Sequence, residues 1–231
     1  MIFPLANLIV ITGPTAVGKT DLCIRLAHLF SAPIVNADSR QVYREMKIGT
    51  ARPDEAELAQ ARFYFVGNLS ITDYYSAARY EQDALRLLAE LFRTSNYVIL
   101  SGGSMMYVDA VVKGIDDIPT VPDDIRAEMK QRLESEGLEA LGDELKRLDP
   151  EYHAIVDLKN PRRVLHALEI CLSTGRTYTS IRDRACKPRP FNIIKIGLNI
   201  PRPRLFERIN GRVDKMIAEG LVDEARELYP Q

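Results

Sequence analysis

The sequence has little of what disulfide frameworks and metal centres need. Its 231 residues include only three cysteines, Cys23, Cys171 and Cys186, which are widely spaced and form no CxxC pair. The three histidines likewise show neither an HExxH motif nor another paired-ligand spacing. We therefore expect reduced thiols, as in a cytoplasmic protein, and no metal site built from protein side chains alone.

Long apolar runs and low-complexity tracts are absent as well. The longest apolar run lies around Leu8–Ile11, far short of the roughly 20 residues that span a bilayer. The N-terminus also lacks the basic, apolar and small-residue series of a secretory signal. With 46% hydrophobic and 27% charged residues, the composition excludes a disordered or fibrous chain. We expect a globular cytoplasmic protein without membrane contact, and a monomer, since nothing in the sequence requires a dimer.

The net charge of −1 hides a segregation of charge along the chain. Residues 116–151 carry 12 acidic and 5 basic side chains, whereas residues 176–212 carry 10 basic and 2 acidic ones. Such segments are commonly solvated helix faces, but a basic segment also suits a polyanion, because lysine and arginine neutralise phosphates in nucleic-acid binding. Charge alone leaves both interpretations open.

Short β-branched runs alternate with helical periodicity in the first half of the chain. Buried strands are predicted over residues 7–12, 33–38 and 96–101, and helices from Lys19 onward and over residues 76–93. The apolar positions with helical spacing are Leu22, Leu26 and Leu29, with Cys23 and Phe30 beside them, in the first helix and Ala77, Tyr80, Ala84, Leu88 and Leu91 in the second. This alternation indicates an α/β fold with a parallel sheet flanked by helices.

The strand signal then disappears and returns only near the C-terminus. Residues 116–187 show helical periodicity broken at Asp149-Pro150 and Asn160-Pro161. Residues 191–200 have strand composition, and residues 201–229 are helical with a break at Gly220. We therefore predict a core of residues 1–115 and 190–231, with an all-helical insert over residues 116–189.

A phosphate-binding motif joins the first strand to the first helix. It follows the pattern G-x-x-x-x-G-K-[ST] and consists of Gly13, Pro14, Thr15, Ala16, Val17, Gly18, Lys19 and Thr20. The loop amides and the helix N-terminus face an anion, Lys19 reaches the terminal phosphates, and the Thr20 hydroxyl can hold Mg²⁺ together with a bound phosphate. A purely structural turn would not need both Lys19 and Thr20, so we predict a P-loop NTPase-like core.

The acid that P-loop hydrolases place at the end of a second apolar strand is not evident. The strand Tyr97–Ser101 runs into Gly102-Gly103, and the carboxylate lies instead at Asp38, after the preceding strand. This arrangement favours group transfer over a motor or switch. Asp38 could alternatively be a turn or N-cap residue, and Ser104, a second candidate at the same edge, could be a simple N-cap.

Several separated motifs of this sequence resemble, in order, those of the tRNA dimethylallyltransferases, also called tRNA isopentenyltransferases. The resemblance covers nearly the whole chain. Its motifs are Gly13–Thr20, Asn36–Tyr43, Met46–Pro53, Tyr75–Ala77, Gly102-Gly103 with Tyr107, Asn160–Val164 with Ala167–Glu169, and Arg208–Met216. It implies transfer of a dimethylallyl group from dimethylallyl diphosphate to N6 of the adenosine just 3′ of a tRNA anticodon, with Mg²⁺, giving N6-dimethylallyladenosine and diphosphate.

The same resemblance implies roles for the donor-site residues. Asp38 would orient the amine and take its proton, Lys19 and Thr20-bound Mg²⁺ would stabilise the departing diphosphate, and Thr15 would help to place it. A basic stripe on the last long helix consists of Arg204, Arg208, Arg212 and Lys215. Arg208 and Arg212 are its candidates for diphosphate binding, and a solvated helix face is the alternative.

We expect the insert to bind the anticodon stem-loop and the reacting base to be unstacked from its neighbours. The tRNA contacts implied by the resemblance are Asp38, Ser39, Arg40, Gln41, Ser104, Arg126, Arg162, Arg163, Val164, Leu165 and His166. Helical spacing puts Arg162, Arg163, His166 and Glu169 opposite an apolar stripe, which comprises Val164, Leu165, Leu168, Cys171 and Leu172. His166 could equally be an ordinary surface histidine.

This sequence departs from the family pattern in several places. Many relatives have Gly-Gly-Thr-Gly-Leu-Tyr where this chain has Gly102–Tyr107, an arginine at the position of His166, and paired histidines near residues 62–66. Family members also continue past Gln231, so we expect this chain to lack a C-terminal segment. Two other functions remain open at this stage: a P-loop kinase that phosphorylates a small molecule or nucleoside with ATP, and a non-catalytic RNA-binding module.

Overall fold

The computed structural model describes residues 6–116, 118–182 and 186–229. The chain divides into two compact units, one formed by residues 1–115 and 187–231 and the other by residues 116–186. Residues 117 and 183–185 of the predicted insert lie outside the described residues. Within those described ranges, no helix combines the length and the apolar character that crossing a lipid bilayer requires.

Helices and strands alternate in the order that the sequence indicates. The helices are α1 Lys19–Phe30, α2 Glu55–Leu58, α3 Ala77–Leu91, α4 Met105–Val112, α5 Asp123–Leu148, α6 Pro150–His153, α7 Pro161–Thr174, α8 Tyr178–Ile181, α9 Arg202–Ala218 and α10 Leu221–Leu228. The strands are β1 Asn7–Thr12, β2 Ile34–Asn36, β3 Phe63–Tyr64, β4 Tyr97–Ser101 and β5 Asn192–Gly197. Helix α2, helix α4 and strand β3 were not predicted from the sequence.

The first unit is built on a five-stranded sheet in the order β3-β2-β4-β1-β5, with every neighbouring pair parallel. This confirms the predicted α/β class. Ser101 is in register with both Ile11 and Asn36, so β1, β2 and β4 end at one level. The segments that follow these strands therefore leave the same carboxyl edge, where ligands bind in open α/β sheets.

Apolar side chains pack against both faces of this sheet. On one face, α3 contributes Tyr80, Ala84, Leu88 and Leu91, as its predicted periodicity requires. On the other face, α1 buries Cys23, Ile24 and Ala27 most deeply. Leu22 and Leu26 pack partly buried against the same core, whereas Leu29 is 71% exposed. The α1 sequence has apolar residues on two adjacent faces, and the face with small Cys23 and Ala27 lets the helix approach the strands closely.

The second unit is helical throughout its described elements and has its own core. Helix α5 bends at Gly137, whose φ of 83° lies outside the helical region. Asp149 and Asn160 accept hydrogen bonds from the backbone N–H groups of Tyr152 and Arg163, and each precedes a proline in the first turn of its helix. These caps place the helix breaks where the sequence predicts them. The fully buried core side chains include Met129, Leu141, Leu145, Val164 and Leu168.

Candidate active site

The phosphate loop joins β1 to α1 in a conformation that suits an anion. Gly18 has a φ of 102° immediately before α1, which a residue with a Cβ adopts only under strain. The Lys19 ammonium donates to the backbone oxygens of Gly13 and Pro14, both at 2.9 Å. The lysine therefore lies curled over its own loop, next to the N-terminus of α1.

Asp38 follows β2 and is held by three backbone N–H groups. Its Oδ1 accepts from Arg40 at 2.9 Å and Gln41 at 3.3 Å, and its Oδ2 accepts from Gly103 at 3.2 Å. The first two bonds form the turn that the sequence left open as an alternative. The same carboxylate also lines a cavity with Lys19, so the turn fixes the direction in which Asp38 points.

The glycine pair after β4 is what lets the strands come so close at this edge. A Cβ on Gly102 would overlap the Ala37 carbonyl group, and one on Gly103 would lie 2.6 Å from Asp38 Oδ2. Ser101, at the strand end, donates to the Ile11 carbonyl at 3.1 Å. Thus the position where many P-loop hydrolases carry an acid is filled here by a buried hydroxyl and two glycines.

Ser104 serves a different purpose from the N-cap that was the alternative. It precedes α4, but its side chain makes no capping hydrogen bond to that helix. Instead its hydroxyl donates to Ser39 Oγ and accepts from the Ser39 backbone N–H, both at 2.8 Å. Ser39 and Ser104 thereby join the segments that follow β2 and β4, beside Asp38.

A cavity of about 460 Å³ opens between these segments, a size typical of small-molecule sites. Its lining includes the phosphate loop with Lys19 and Thr20, Asp38, Gln41, Thr50, Ala51, the glycine pair and Arg212. Burial lowers the pKa of Lys19, the nearby Arg212 lowers it further, and the Asp38 carboxylate opposes both. This excess of positive charge over the loop favours a polyanionic ligand.

Helix α9 brings two arginines of the basic stripe to the phosphate loop. Arg212 donates to Thr15 Oγ1 at 2.8 Å, and Arg208 donates to the Val17 carbonyl at 3.2 Å. Lys215 instead pairs with Glu219 on its own helix at 3.5 Å, and Arg204 is exposed. A solvated face therefore describes the end members of the stripe, while Arg212 lines the cavity and Arg208 contacts the phosphate loop.

Sequence reasoning missed the loop that forms the opposite wall. Gln41 donates through Nε2 to the carbonyls of Thr50 and Ala51, both at 3.0 Å. Glu224 of α10 accepts from three consecutive backbone N–H groups, those of Lys47, Ile48 and Gly49. The Met46–Pro53 motif was a signal for the loop, but nothing local marks Glu224, which lies 175 residues from Gly49.

The remaining tRNA-contact candidates lie in the second unit. Arg162 and Arg163 are exposed in the first turn of α7, whereas Val164 is fully buried, so a contact from Val164 would use its backbone. Of the predicted apolar stripe, Val164, Leu168 and Cys171 are buried in the core, whereas Leu172 at its end is 41% exposed. Leu165 is only partly buried against that core.

His166 is half-buried beside three neighbours of the same unit. Its ring lies edge-on to Tyr178 at 5.5 Å, and Nδ1 is 3.8 Å from the Glu169 carboxylate. Burial lowers the pKa of His166; Glu169 raises it and Arg126 lowers it, with a net downward shift. The structure thus brings Arg126 close enough to His166 to lower its pKa.

Among the described residues, no three His, Cys, Asp or Glu side chains lie together in a group that could hold a metal ion. The cavity offers the Thr20 hydroxyl beside the phosphate loop. Mg²⁺ commonly keeps several waters and binds through substrate phosphates. This donor set fits an ion that arrives with a diphosphate.

Comparison with known proteins gives one consistent result. The model of the IPP transferase family matches residues 41–231. The tRNA dimethylallyltransferase 1 of Phocaeicola vulgatus is 59% identical over 224 residues, which cover 97% of this chain and 75% of that protein. The protein of the same name from Bacteroides thetaiotaomicron is 59% identical over 220 residues, covering 95% of this chain and 71% of that protein.

Solved structures agree with these relatives. The full-length tRNA isopentenylpyrophosphate transferase of Bacillus halodurans is 35% identical with a TM-score of 0.63, over 97% of this chain and 70% of that one. A eukaryotic dimethylallyltransferase described as acting on tRNA is 26% identical with a TM-score of 0.80, over 97% of this chain and 56% of that one. The chain spans about three-quarters of the length of the curated relatives described above.

Proposed function

This chain belongs to the IPP transferase family, and from that premise we propose how its cavity acts. The protein is a tRNA-modifying prenyltransferase that transfers a dimethylallyl group to N6 of the adenosine just 3′ of the anticodon. The donor that we propose is dimethylallyl diphosphate. The observation that carries this proposal is the cavity in which the phosphate loop and Asp38 line opposite parts of one space.

In the proposed reaction the exocyclic amine attacks C1 of the dimethylallyl group. A C–N bond forms, the C–O bond to the diphosphate breaks with its electron pair leaving on oxygen, and the amine loses one proton. Asp38 accepts that proton, and its direction is fixed by the N–H groups of Arg40, Gln41 and Gly103. The adenosine is thereby dimethylallylated and diphosphate is released.

The phosphate loop binds the leaving group. The Lys19 ammonium, which donates to the carbonyl of Gly13, would exchange this contact for one with the diphosphate. Arg212, which donates to Thr15, brings a second positive charge to the loop. Negative charge grows on the bridging oxygen as the C–O bond breaks, so these cations stabilise the transition state more than the ground state. We propose that Thr20 holds Mg²⁺ with the diphosphate, where the ion supplies further charge neutralisation.

We propose that the second unit, residues 116–186, supplies the grip on the anticodon stem-loop. The exposed Arg162 and Arg163, with Arg126 and His166 on the same unit, provide the donors for RNA phosphates and sugars. Beside Asp38 lie Ser39, Arg40, Gln41 and Ser104, and we propose that they orient the base. We place this reaction in the cytoplasm, which suits the free thiols of the three cysteines, and propose that a single chain suffices.

A labelling assay tests this function. The protein is incubated with labelled dimethylallyl diphosphate, Mg²⁺ and unmodified tRNA, and the RNA is digested to locate the label; ATP turnover is followed in parallel. We expect label on the adenosine beside the anticodon. ATP consumption with a small acceptor and unlabelled RNA would instead indicate the kinase, an alternative that the named relatives do not support. Binding of tRNA with neither product would indicate the non-catalytic module.

A further inference from the structure

Glu224 connects α10 to the loop of residues 47–49 in the first unit. Its two carboxylate oxygens accept from the N–H groups of Lys47 at 2.8 Å, Ile48 at 2.7 Å and Gly49 at 2.9 Å. A carboxylate held by successive backbone amides is a strong, charge-assisted arrangement. Partial burial raises the pKa of Glu224, but the three amides and Arg52 outweigh it, so the pKa lies below its usual range.

The loop that Glu224 holds leads directly into the cavity wall. Ala51 has a φ of 50°, an unusual conformation for a residue with a Cβ, and it lines the cavity together with Thr50 and Pro53. From the other side, Gln41 holds the carbonyls of Thr50 and Ala51. A strained turn persists only where its surroundings over-determine it. Gln41 and Glu224 hold this loop from outside, and within it the Thr50 hydroxyl donates to the Met46 carbonyl at 2.8 Å.

The helix pair α9–α10 touches both walls of the same cavity. Through Arg212, α9 contacts the phosphate loop at Thr15, and through Glu224, α10 contacts the loop at residues 47–49. Gly220, with a φ of 100°, forms the tight turn between the two helices. One pair of helices, remote in sequence from both walls, therefore contacts each of them.

We infer that Glu224 is a positioning residue for the prenyl diphosphate site: by holding residues 47–49 it keeps the Thr50–Pro53 wall at the spacing that the donor needs. Glu224 does not line the cavity itself. Its effect on the donor is exerted through the loop backbone. This inference rests on the proposed donor site and goes beyond it by assigning a function to the C-terminal helix.

The test compares Glu224→Gln with a matched control, Glu227→Gln. A glutamine has one acceptor oxygen, and its NH₂ group would oppose a backbone N–H, so the amide array is broken without a large change in volume. Glu227 lies one turn farther along α10, is exposed, and has no side-chain hydrogen bond or ion pair in the part of the chain that the structure describes. Both changes remove one negative charge from the same helix.

Three measurements are made on each protein. Calorimetric titration with dimethylallyl diphosphate and Mg²⁺, without tRNA, gives the donor Kd; steady-state kinetics give kcat and the KM for tRNA; hydrogen exchange reports on the amides of residues 47–49. For Glu224→Gln we expect a donor Kd raised about tenfold, equivalent to about 1.4 kcal/mol, with faster exchange at these amides. At saturating donor, kcat and the KM for tRNA stay near parental values. Glu227→Gln should behave as the parent in every measurement.

Other outcomes overturn the inference. Faster amide exchange with an unchanged donor Kd would show that the contact only stabilises the structure. A lower kcat with an unchanged donor Kd would lead to the same conclusion, because it would mean that a smaller fraction of the protein is active. A raised KM for tRNA with an unchanged donor Kd would assign the wall to the RNA instead. A parent that does not bind dimethylallyl diphosphate would overturn the proposed donor site, and this inference with it.

Discussion

Replacing Asp38 with asparagine separates the two roles that its geometry allows. In Asp38→Asn, one oxygen remains to accept from the N–H groups of Arg40 and Gln41, so the turn persists. The NH₂ group replaces the oxygen that accepts from Gly103 at 3.2 Å, which removes one hydrogen bond. The expected loss of stability is about 1 kcal/mol, the usual net contribution of one hydrogen bond.

The expected loss of catalysis is much larger. A positioned general base contributes about 10²–10⁴-fold to the rate, equivalent to about 3–5 kcal/mol of activation free energy. We therefore expect kcat for tRNA prenylation to fall at least about a hundredfold in Asp38→Asn, while the Kd for dimethylallyl diphosphate stays near its parental value. Asp38→Ala should lose at least as much activity and, because the turn is lost as well, more stability.

The measurement combines single-turnover prenylation of tRNA, calorimetric donor binding and thermal unfolding. Asp73→Asn is the matched control, since Asp73 also accepts a turn N–H, that of Ser70 at 2.7 Å, yet does not line the cavity. This control should keep parental turnover. Near-parental turnover of Asp38→Asn would refute the reasoning and leave Asp38 as a turn residue only.

Three further predictions follow from the contacts. Lys19→Ala should weaken donor binding and turnover together, because the ammonium over the phosphate loop is lost; unchanged donor affinity by calorimetry would contradict that assignment. Arg163→Ala should raise the KM for tRNA and reduce the salt dependence of that KM without altering the donor Kd. Arg147→Ala, at another exposed position of the second unit, is the control, and equal KM values for the two variants would contradict the RNA contact. Arg189→Leu should lower the free energy of unfolding in urea by about 3 kcal/mol or more, because it leaves Glu81 as a buried carboxylate without its ion pair. If this is the cause, the double variant Arg189→Leu/Glu81→Gln should regain stability, and a double variant as unstable as Arg189→Leu would contradict it.

Much of the fold could be predicted because its signals are local. The strand before Gly13, the P-loop and the start of α1 are neighbours in sequence, and the chemistry of the loop depends on that order alone. The helix breaks at Pro150 and Pro161 are equally local, since each uses a proline and a preceding capping side chain. The missed elements carry weak signals: β3 has two half-buried residues, and α2 buries none.

The face that α1 buries shows where local patterns are insufficient. Leucines and small apolar residues lie on adjacent sides of this helix, and both sides satisfy a helical period. The sheet accepts the side with Cys23 and Ala27 because small side chains allow close packing, which leaves Leu29 largely exposed. Periodicity therefore predicted the helix, and only its packing shows which of its apolar residues are buried most deeply.

By itself, the sequence determined that a phosphate loop lies between a buried strand and a helix, that Asp38 comes shortly after a neighbouring strand, and that a helical segment interrupts the core. Only the tertiary structure decided which distant residues complete the site. Arg212 meets Thr15 across 197 positions, and Glu224 meets the amides of residues 47–49 across 175 or more. These contacts depend on where α9 and α10 pack in the folded chain. Hydrogen bonds between distant segments leave no periodic pattern in the sequence, so the sequence alone could not predict them.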